Sequence, residues 1–315
     1  MRNYGSFLLC LAAVSMTGTA ALAASCPDGY PGDNVNFYVG YGAGGGTDTV
    51  ARKVASDIET ATDWTIVVDN KPGASGGVMA RGLLDGDADG LTIGVVSNTT
   101  VAINPHVNAD IGYSHDDFGY LGTGMVLNYG LVTLADNPYD TLEEFVAMAK
   151  EKGRATVSVG ASSHTIAVET IAEHFGIKLV AVPGKGSAAA LQEALGGHVD
   201  ATIQGAAHVS QIKAGKMVQL STLTENRAAY APDTMTALES GVDLSIEGHI
   251  IFIVNKDTPK EIQSCLAEAL AAVTDSQDYV DFLAGRDATP GNMGPDGTAK
   301  WVADASAFYA EKLSK

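Results

Sequence analysis

The sequence predicts an α/β protein of two domains built around mainly parallel sheets. Short β-rich runs alternate with helical patterns, glycine-rich turns join strand to helix, and no Pro- or Ser-rich linker separates two halves. Residues 35–41 read as the first strand and 42–46 as a glycine-rich turn. The helix that follows carries Val50, Val54 and Ile58 at four-residue spacing on one apolar face. Residues 65–68 and 91–96 are further strands. Thr141 and Glu144 form a capping box opening a helix that holds Phe145, Val146 and Ala149; Lys150, Lys152 and Gly153 close it. Next come a strand at 156–159, a helix with Ile166, Ile171 and Phe175 stopped by Gly176, and a strand at 179–182. Ser187 is placed to cap another helix, ended by Gly196 and Gly197. Thr258, Pro259 and Glu261 start one with Ile262, Leu266, Ala269 and Val273 on its buried side, and 295–313 is a final amphipathic helix with Trp301 and Phe308. Without a linker, the chain must cross directly between domains. The crossings are expected near 121–126 and 247–255, which inserts one domain (124–251) inside the other (24–123 and 252–315).

The N-terminus sets the compartment. Arg2 is a positive start, 7–16 is a short apolar run, and Ala21-Leu22-Ala23 is a small-x-small cleavage signal. Together they read as a secretory signal peptide over 1–23, with a mature chain from Ala24. The apolar run is too short to span about 30 Å of hydrocarbon, and Cys10 follows Leu9 rather than a small residue, unlike a lipoprotein. Export implies the periplasm. Removal of the signal leaves about 290 residues, enough for two domains.

A net charge of -18 argues against nucleic-acid and anionic-lipid partners, which want a basic face. It also means that any anionic ligand must be drawn in by local donors. After cleavage Cys26 and Cys265 remain, in an oxidising compartment. A structural disulfide is the expectation, with two unpaired thiols as the alternative. The seven histidines show no ligand cluster or His-Glu-x-x-His, so no metal is expected.

Gly40-Tyr41-Gly42-Ala43-Gly44-Gly45 satisfies the Gly-x-Gly-x-x-Gly dinucleotide fingerprint, with Asp69 ending the next strand. This supports one reading, an exported NAD-type oxidoreductase. A simpler reading needs only the helix N-terminus, whose N–H groups suit a carboxylate as well as a pyrophosphate. Export favours the second, since dinucleotides are scarce outside the cytoplasm. Residues 70–77 and 160–165 are two more turns leading into helices; Ser163 is a candidate N-cap there. No Gly-x-Ser-x-Gly elbow surrounds Ser162-Ser163-His164, so no hydrolase is indicated.

Taken in order, these turns resemble the Bug family, the solute receptors of tripartite tricarboxylate transporters. Residues 41–48 resemble the family's Gly-Gly-x-x-Asp first loop, and 70–77 its Asn-x-Pro-Gly-Ala-x-Gly turn. Residues 88–92 stand where it has Pro-Asp-Gly-Tyr-Thr, and 97–105 match its Ser-x-x-x-x-x-Asn-Pro segment. Residues 182–186 are similar to Val-Pro-Tyr-Lys-Gly and 196–200 to Gly-Gly-x-Val-Asp, with Gly184 where the family usually has Tyr. The resemblance implies a two-lobed, periplasmic-binding-protein-like fold (type II) with a ligand cleft between lobes. It implies a monomeric, non-enzymatic receptor without cofactor, serving membrane permease subunits. The small carboxylate ligand would be held by loops of both lobes. In the first lobe the candidates are Tyr41, Gly44, Gly45, Gly46 and Thr47, with hydroxyls from Ser97 and Thr99, and Asp48 as an organiser of backbone donors. In the second they are Ser162, Ser163, His164, Thr165 and Gln204, with Lys185 as the nearest cation.

Overall fold

The computed structural model describes residues 26–314; the expected signal peptide, its expected cleavage site and Ala24 lie outside them. The first part of the chain runs β1 (Val35–Val39), α1 (Gly46–Ala61), β2 (Ile66–Asn70), α2 (Gly77–Leu84), β3 (Thr92–Ser97), α3 (Asn104–Val107) and β4 (Phe118–Val126). A second series follows: β5 (Gly130–Leu134), α4 (Leu142–Lys152), β6 (Ala155–Val159), α5 (Ser162–Phe175), β7 (Leu179–Pro183), α6 (Ser187–Leu195), β8 (Ala201–Gln204), α7 (Val209–Lys213) and β9 (Met217–Thr222). The chain returns through β10 (His249–Asn255), α8 (Lys260–Thr274), α9 (Gln277–Ala284), β11 (Thr289–Pro290) and α10 (Gly294–Leu313).

Two sheets result, in the orders β11-β4-β10-β3-β1-β2 and β7-β6-β8-β5-β9. They are mixed rather than mainly parallel. β1 pairs in parallel with β2 and β3, and β6 with β7 and β8, each across a helical connection. β10 is antiparallel to β3 and β4, and β5 to β8 and β9. Parallel neighbours need a crossover, usually a helix. β4 passes to β5 through residues 127–129 alone, so it has no helix to turn it back. Both segments expected to cross between lobes are strands of the first sheet, and the chain leaves that sheet after Val126 and rejoins it at His249. Boundaries at 123/124 and 251/252 would fall inside these two strands.

Packing follows the apolar patterns. Val50, Val54 and Ile58 of α1 are buried against β1 and β3, where Phe37 meets Phe252 edge-on at 6.0 Å between ring centres. Leu142, Phe145 and Ile171 cover the second sheet over Leu131 and Ile203. One apolar cluster runs through both lobes by way of Leu127 and Tyr129. Thr141 caps α4 as expected, its hydroxyl accepting the Glu144 N–H, and left-handed Gly153 and Gly176 end α4 and α5. Ser163 and Ser187 do not cap. Ser163 is the second helical residue of α5 and Ser187 the first of α6, behind Ala161 and Gly186 as the cap positions.

Cys26 and Cys265 are joined by a disulfide, with Cα atoms 4.7 Å apart. It ties the start of the described chain to the buried face of α8. Replacing both cysteines with serine should lower unfolding stability by roughly 2–5 kcal/mol. Chemical denaturation of the two proteins checks this, and equal midpoints would contradict it.

Candidate functional site

The C-terminal ends of β1, β6 and β7 meet at the junction of the lobes, and each feeds directly into a helix: α1, α5 and α6. The three helix starts therefore converge. Gly45, Ala161 and Ser187, one from each start, line a single small cavity together with Tyr41, Gly46, Thr47, Ser97, Leu127, Tyr129, His164, Gly205 and Ala206. No charged side chain is among them. Its free volume is about 30 Å³, room for a few water-sized atoms such as a carboxylate head, and little more.

None of the three helices is capped by its own side chain. The cap positions are Gly45, Ala161 and Gly186, which carry no side-chain polar atom. By contrast, Thr141 and Ser276 fill the starts of α4 and α9. The first N–H groups of a helix have no partner within it, and the peptide dipoles place about half a positive charge there. The two lobes come close here: a Cβ built on Gly45 would stand 3.9 Å from the Ala188 nitrogen, an ordinary contact, whereas one on Gly42 would stand 2.8 Å from the Lys185 carbonyl oxygen, too close for any side chain. The starts of α1 and α6 are thus neighbours across the cleft.

The walls are polar but neutral. Tyr41 is buried, its hydroxyl 2.6 Å from Ser97 Oγ and 3.1 Å from Thr100 Oγ1. His164 is buried, and its Nδ1 accepts the Gly160 N–H at 3.2 Å, which leaves the ring proton on Nε2. Burial pushes its pKa down to about 3, so it is a neutral donor near pH 7.

Of the residues expected from the sequence, Tyr41, Gly45, Gly46, Thr47, Ser97 and His164 come together here. The others stand elsewhere. Asp48 turns back under the glycine turn, accepting from the Gly44 N–H, Arg52 Nε and Asn70 Nδ2 at 2.9, 3.0 and 2.9 Å. Burial raises its carboxyl pKa, but these bonds outweigh burial and hold it below the ordinary value. Gly44 faces an outer cleft of about 400 Å³ beside α7. Thr99 and Ser163 are buried and share a hydrogen bond of 2.9 Å. Ser162, Thr165 and Lys185 line a second outer cleft, of about 470 Å³, with Lys185 exposed. Its carbonyl, rather than its ammonium, binds the other lobe, accepting the Gly42 N–H at 3.1 Å. Gln204 is fully buried, its Nε2 donating to Thr202 Oγ1 at 2.8 Å.

Sequence reasoning missed Leu127, Tyr129, Ala161, Ser187, Gly205 and Ala206. Leu127 and Tyr129 belong to the three-residue link between lobes, which has no motif. Gly205 could have been suspected from its place after β8, since a Cβ there would crowd Tyr129 Cε1 at 3.1 Å.

The fold and the site together define a two-lobed, receptor-like protein with an anion-ready cleft. Residues 50–312 match the model of the tripartite tricarboxylate transporter family receptor, and the chain belongs to that family. It is 30% identical over 303 residues to the UPF0065 protein in gbd 5'region of Cupriavidus necator, covering 93% of this chain and 90% of that one. It is 27% identical to Protein BugT of Bordetella pertussis, over 93% and 92% of the two chains. Among solved structures, an R. palustris protein with adipate overlays with a TM-score of 0.84 at 26% identity, covering 90% of this chain and 97% of that one. The periplasmic binding protein BugD overlays at 0.84 and 24% identity, covering 90% and 98%.

The buried histidines imply an acid weakness. His164 and His208 are held neutral by burial, with pKa values pushed down from 6.5 to about 3 and about 4. Between these values and 6.5 only the unfolded chain binds the protons, so their stabilisation is complete above pH 6.5 and is lost as pH falls. Each should cost about 2 kcal/mol by pH 5. Unfolding midpoints measured from pH 7 to pH 5 should fall accordingly, with a shallower slope in His164→Gln. A flat profile would contradict this.

Proposed function

We propose that this chain is a periplasmic receptor that captures a small carboxylate between its lobes and delivers it to the membrane subunits of a tripartite tricarboxylate-type transporter. One observation carries the reading: three helix starts without side-chain caps of their own converge on one small, partly open cavity with no charged side chain in its wall. Anions bind at helix starts because oriented N–H groups and the dipole act together. Family membership supports the transport role, and the adipate held by the R. palustris relative supports the ligand class.

Binding proceeds without chemistry. The carboxylate oxygens accept N–H bonds from the starts of α1 and α6, with Thr47 and Ser97 hydroxyls and His164 Nε2 as further donors. Asp48 shapes the glycine turn and keeps its own charge turned away. The cavity holds no more than the ligand's carboxylate, and the adjoining cleft of about 470 Å³, which shares Tyr41 and Ala161 with it, has room for the rest; closure of the lobes strengthens each bond by excluding water. Export through the 1–23 signal, a monomeric state, and lobes over 24–123 with 252–315 and over 124–251 complete the proposal. The dinucleotide alternative loses its acidic partner: Asp69 is exposed and pairs with Lys71 at 3.8 Å.

Adipate and its diethyl ester provide the test. The acid should stabilise the protein against heat by about 2.7 kcal/mol at a hundredfold excess over its dissociation constant, and the ester hardly at all. Gly45→Leu should abolish the effect while the chain still folds. Gly45 has extended backbone (φ -82°, ψ 172°), and a Cβ there meets only ordinary contacts. Calorimetry showing equal stabilisation by acid and ester would overturn the reading.

A further inference from the structure

The turn between β2 and α2 contains two of the three described non-glycine residues with positive φ. Ala74 (φ 45°) and Ser75 (φ 50°) sit between Gly73 (φ 143°) and Gly76 (φ 88°). Such backbone persists only where its surroundings hold it, and here they do. The Ser75 carbonyl accepts from Tyr41 Oη at 3.1 Å, Thr100 Oγ1 at 2.9 Å and Asn104 Nδ2 at 3.2 Å. Asn104 Nδ2 also reaches the Ala74 carbonyl at 2.8 Å. All of these donors belong to the same lobe as the turn.

The strained turn decides where the Ser75 side chain goes. Its Oγ lies 2.9 Å from the nitrogen of Ser162, the first residue of α5 in the opposite lobe. α5 has Ala161 at its cap position and no side-chain cap of its own. The missing cap is supplied from across the cleft. Asn104, which braces the turn through Nδ2, takes the Ser162 hydroxyl on Oδ1 at 2.8 Å, and Thr99 meets Ser163 at 2.9 Å. Ser75 lines the larger cleft and not the small cavity, and its side chain reaches the cavity wall through α5.

We propose that Ser75 is a positioning residue for ligand capture: a cap offered in trans that docks α5 onto the first lobe and holds the cleft shut. When the lobes part, water serves the Ser162 N–H; when they close, the Ser75 hydroxyl replaces that water. Closure therefore keeps the Ser162 N–H satisfied, and it fixes His164 and the cavity wall beside Ala161. The proposal goes beyond the carboxylate reading and does not depend on which ligand is bound.

Small-angle X-ray scattering of the ligand-free chain tests it, with Ser75→Ala, Ser162→Pro and the double variant. Proline suits a first helical position, and Ala161 is already extended (φ -158°, ψ 161°), as a residue before proline must be. Ser162→Pro thus removes the N–H donor while leaving the helix start intact, and Ser162→Ala, which keeps the N–H and loses only the hydroxyl bonded to Asn104, is its reference. Losing a cap should shift the open-to-closed ratio about fivefold. Both single variants should have a larger radius of gyration than wild type, and the double variant should match Ser162→Pro. Should Ser75→Ala fail to fold, the comparison of Ser162→Pro with Ser162→Ala carries the test. Wild-type compactness in Ser75→Ala, even with a lowered melting temperature, would make Ser75 a brace of its own turn and overturn the proposal. So would additive expansion in the double variant, or a wild type as extended as Ser162→Pro.

Discussion

Backbone N–H groups at the start of a helix must be satisfied, and in this protein three helix starts are brought to one small cavity. Much of the architecture follows from that constraint. A helix after a parallel strand begins at the strand's C-terminal end, so two sheets placed with those ends facing each other aim their helices at the same point. Gly45, Ala161 and Gly186 then leave the donors bare where another sequence would place Ser, Thr, Asp or Asn. The donors are left to partners outside their own helices: Ser75 serves one of them from the facing lobe, and residues of all three starts line the cavity.

This arrangement also resolves the conflict between an anionic ligand and a chain of net charge -18. Attraction comes from oriented backbone dipoles at contact distance, whereas exposed carboxylates farther than about 8–10 Å are screened by salt. The one carboxylate near the site, Asp48, is neutralised locally by Arg52 and by the N–H of Gly44. Lys185 adds a backbone carbonyl to the lobe junction while its ammonium remains in solvent. A site without a cationic side chain depends more on closure than on long-range steering, because dipole fields fall off within a helical turn.

The longer helices and strands β1, β2, β3, β6 and β7 were legible in the sequence because local chemistry marks their ends. Val50, Val54 and Ile58 point to α1 without ambiguity, and Gly153 and Gly176 stop α4 and α5 where expected. β5, β8 and β9 were not legible. Each is buried on both faces, so it lacks the apolar–polar alternation that marks a strand, and its identity comes from pairing with residues far away in sequence. The mixed character of the sheets was hidden for the same reason, since strand direction depends on how the chain crosses between lobes. For the site, the glycine turn and Ser97 could be read, because close approach and hydroxyl donation are local properties. Ser162, Ser163 and Thr99 looked like ligand donors, yet their hydroxyls bond across the cleft. No sequence pattern distinguishes a hydroxyl aimed at a ligand from one aimed at the other lobe.

The central claim is that backbone donors at converging helix starts, and not a cationic side chain, grip the ligand's carboxylate. Amide ¹H–¹⁵N spectra test it most directly, recorded with and without a carboxylate that stabilises the protein. A charge-assisted bond from a backbone N–H moves its proton resonance downfield. The account predicts large downfield shifts at Gly46, Thr47 and the first residues of α6, with Lys185 little changed. Shifts confined to Lys185 and its neighbours, with the helix starts unmoved, would contradict it.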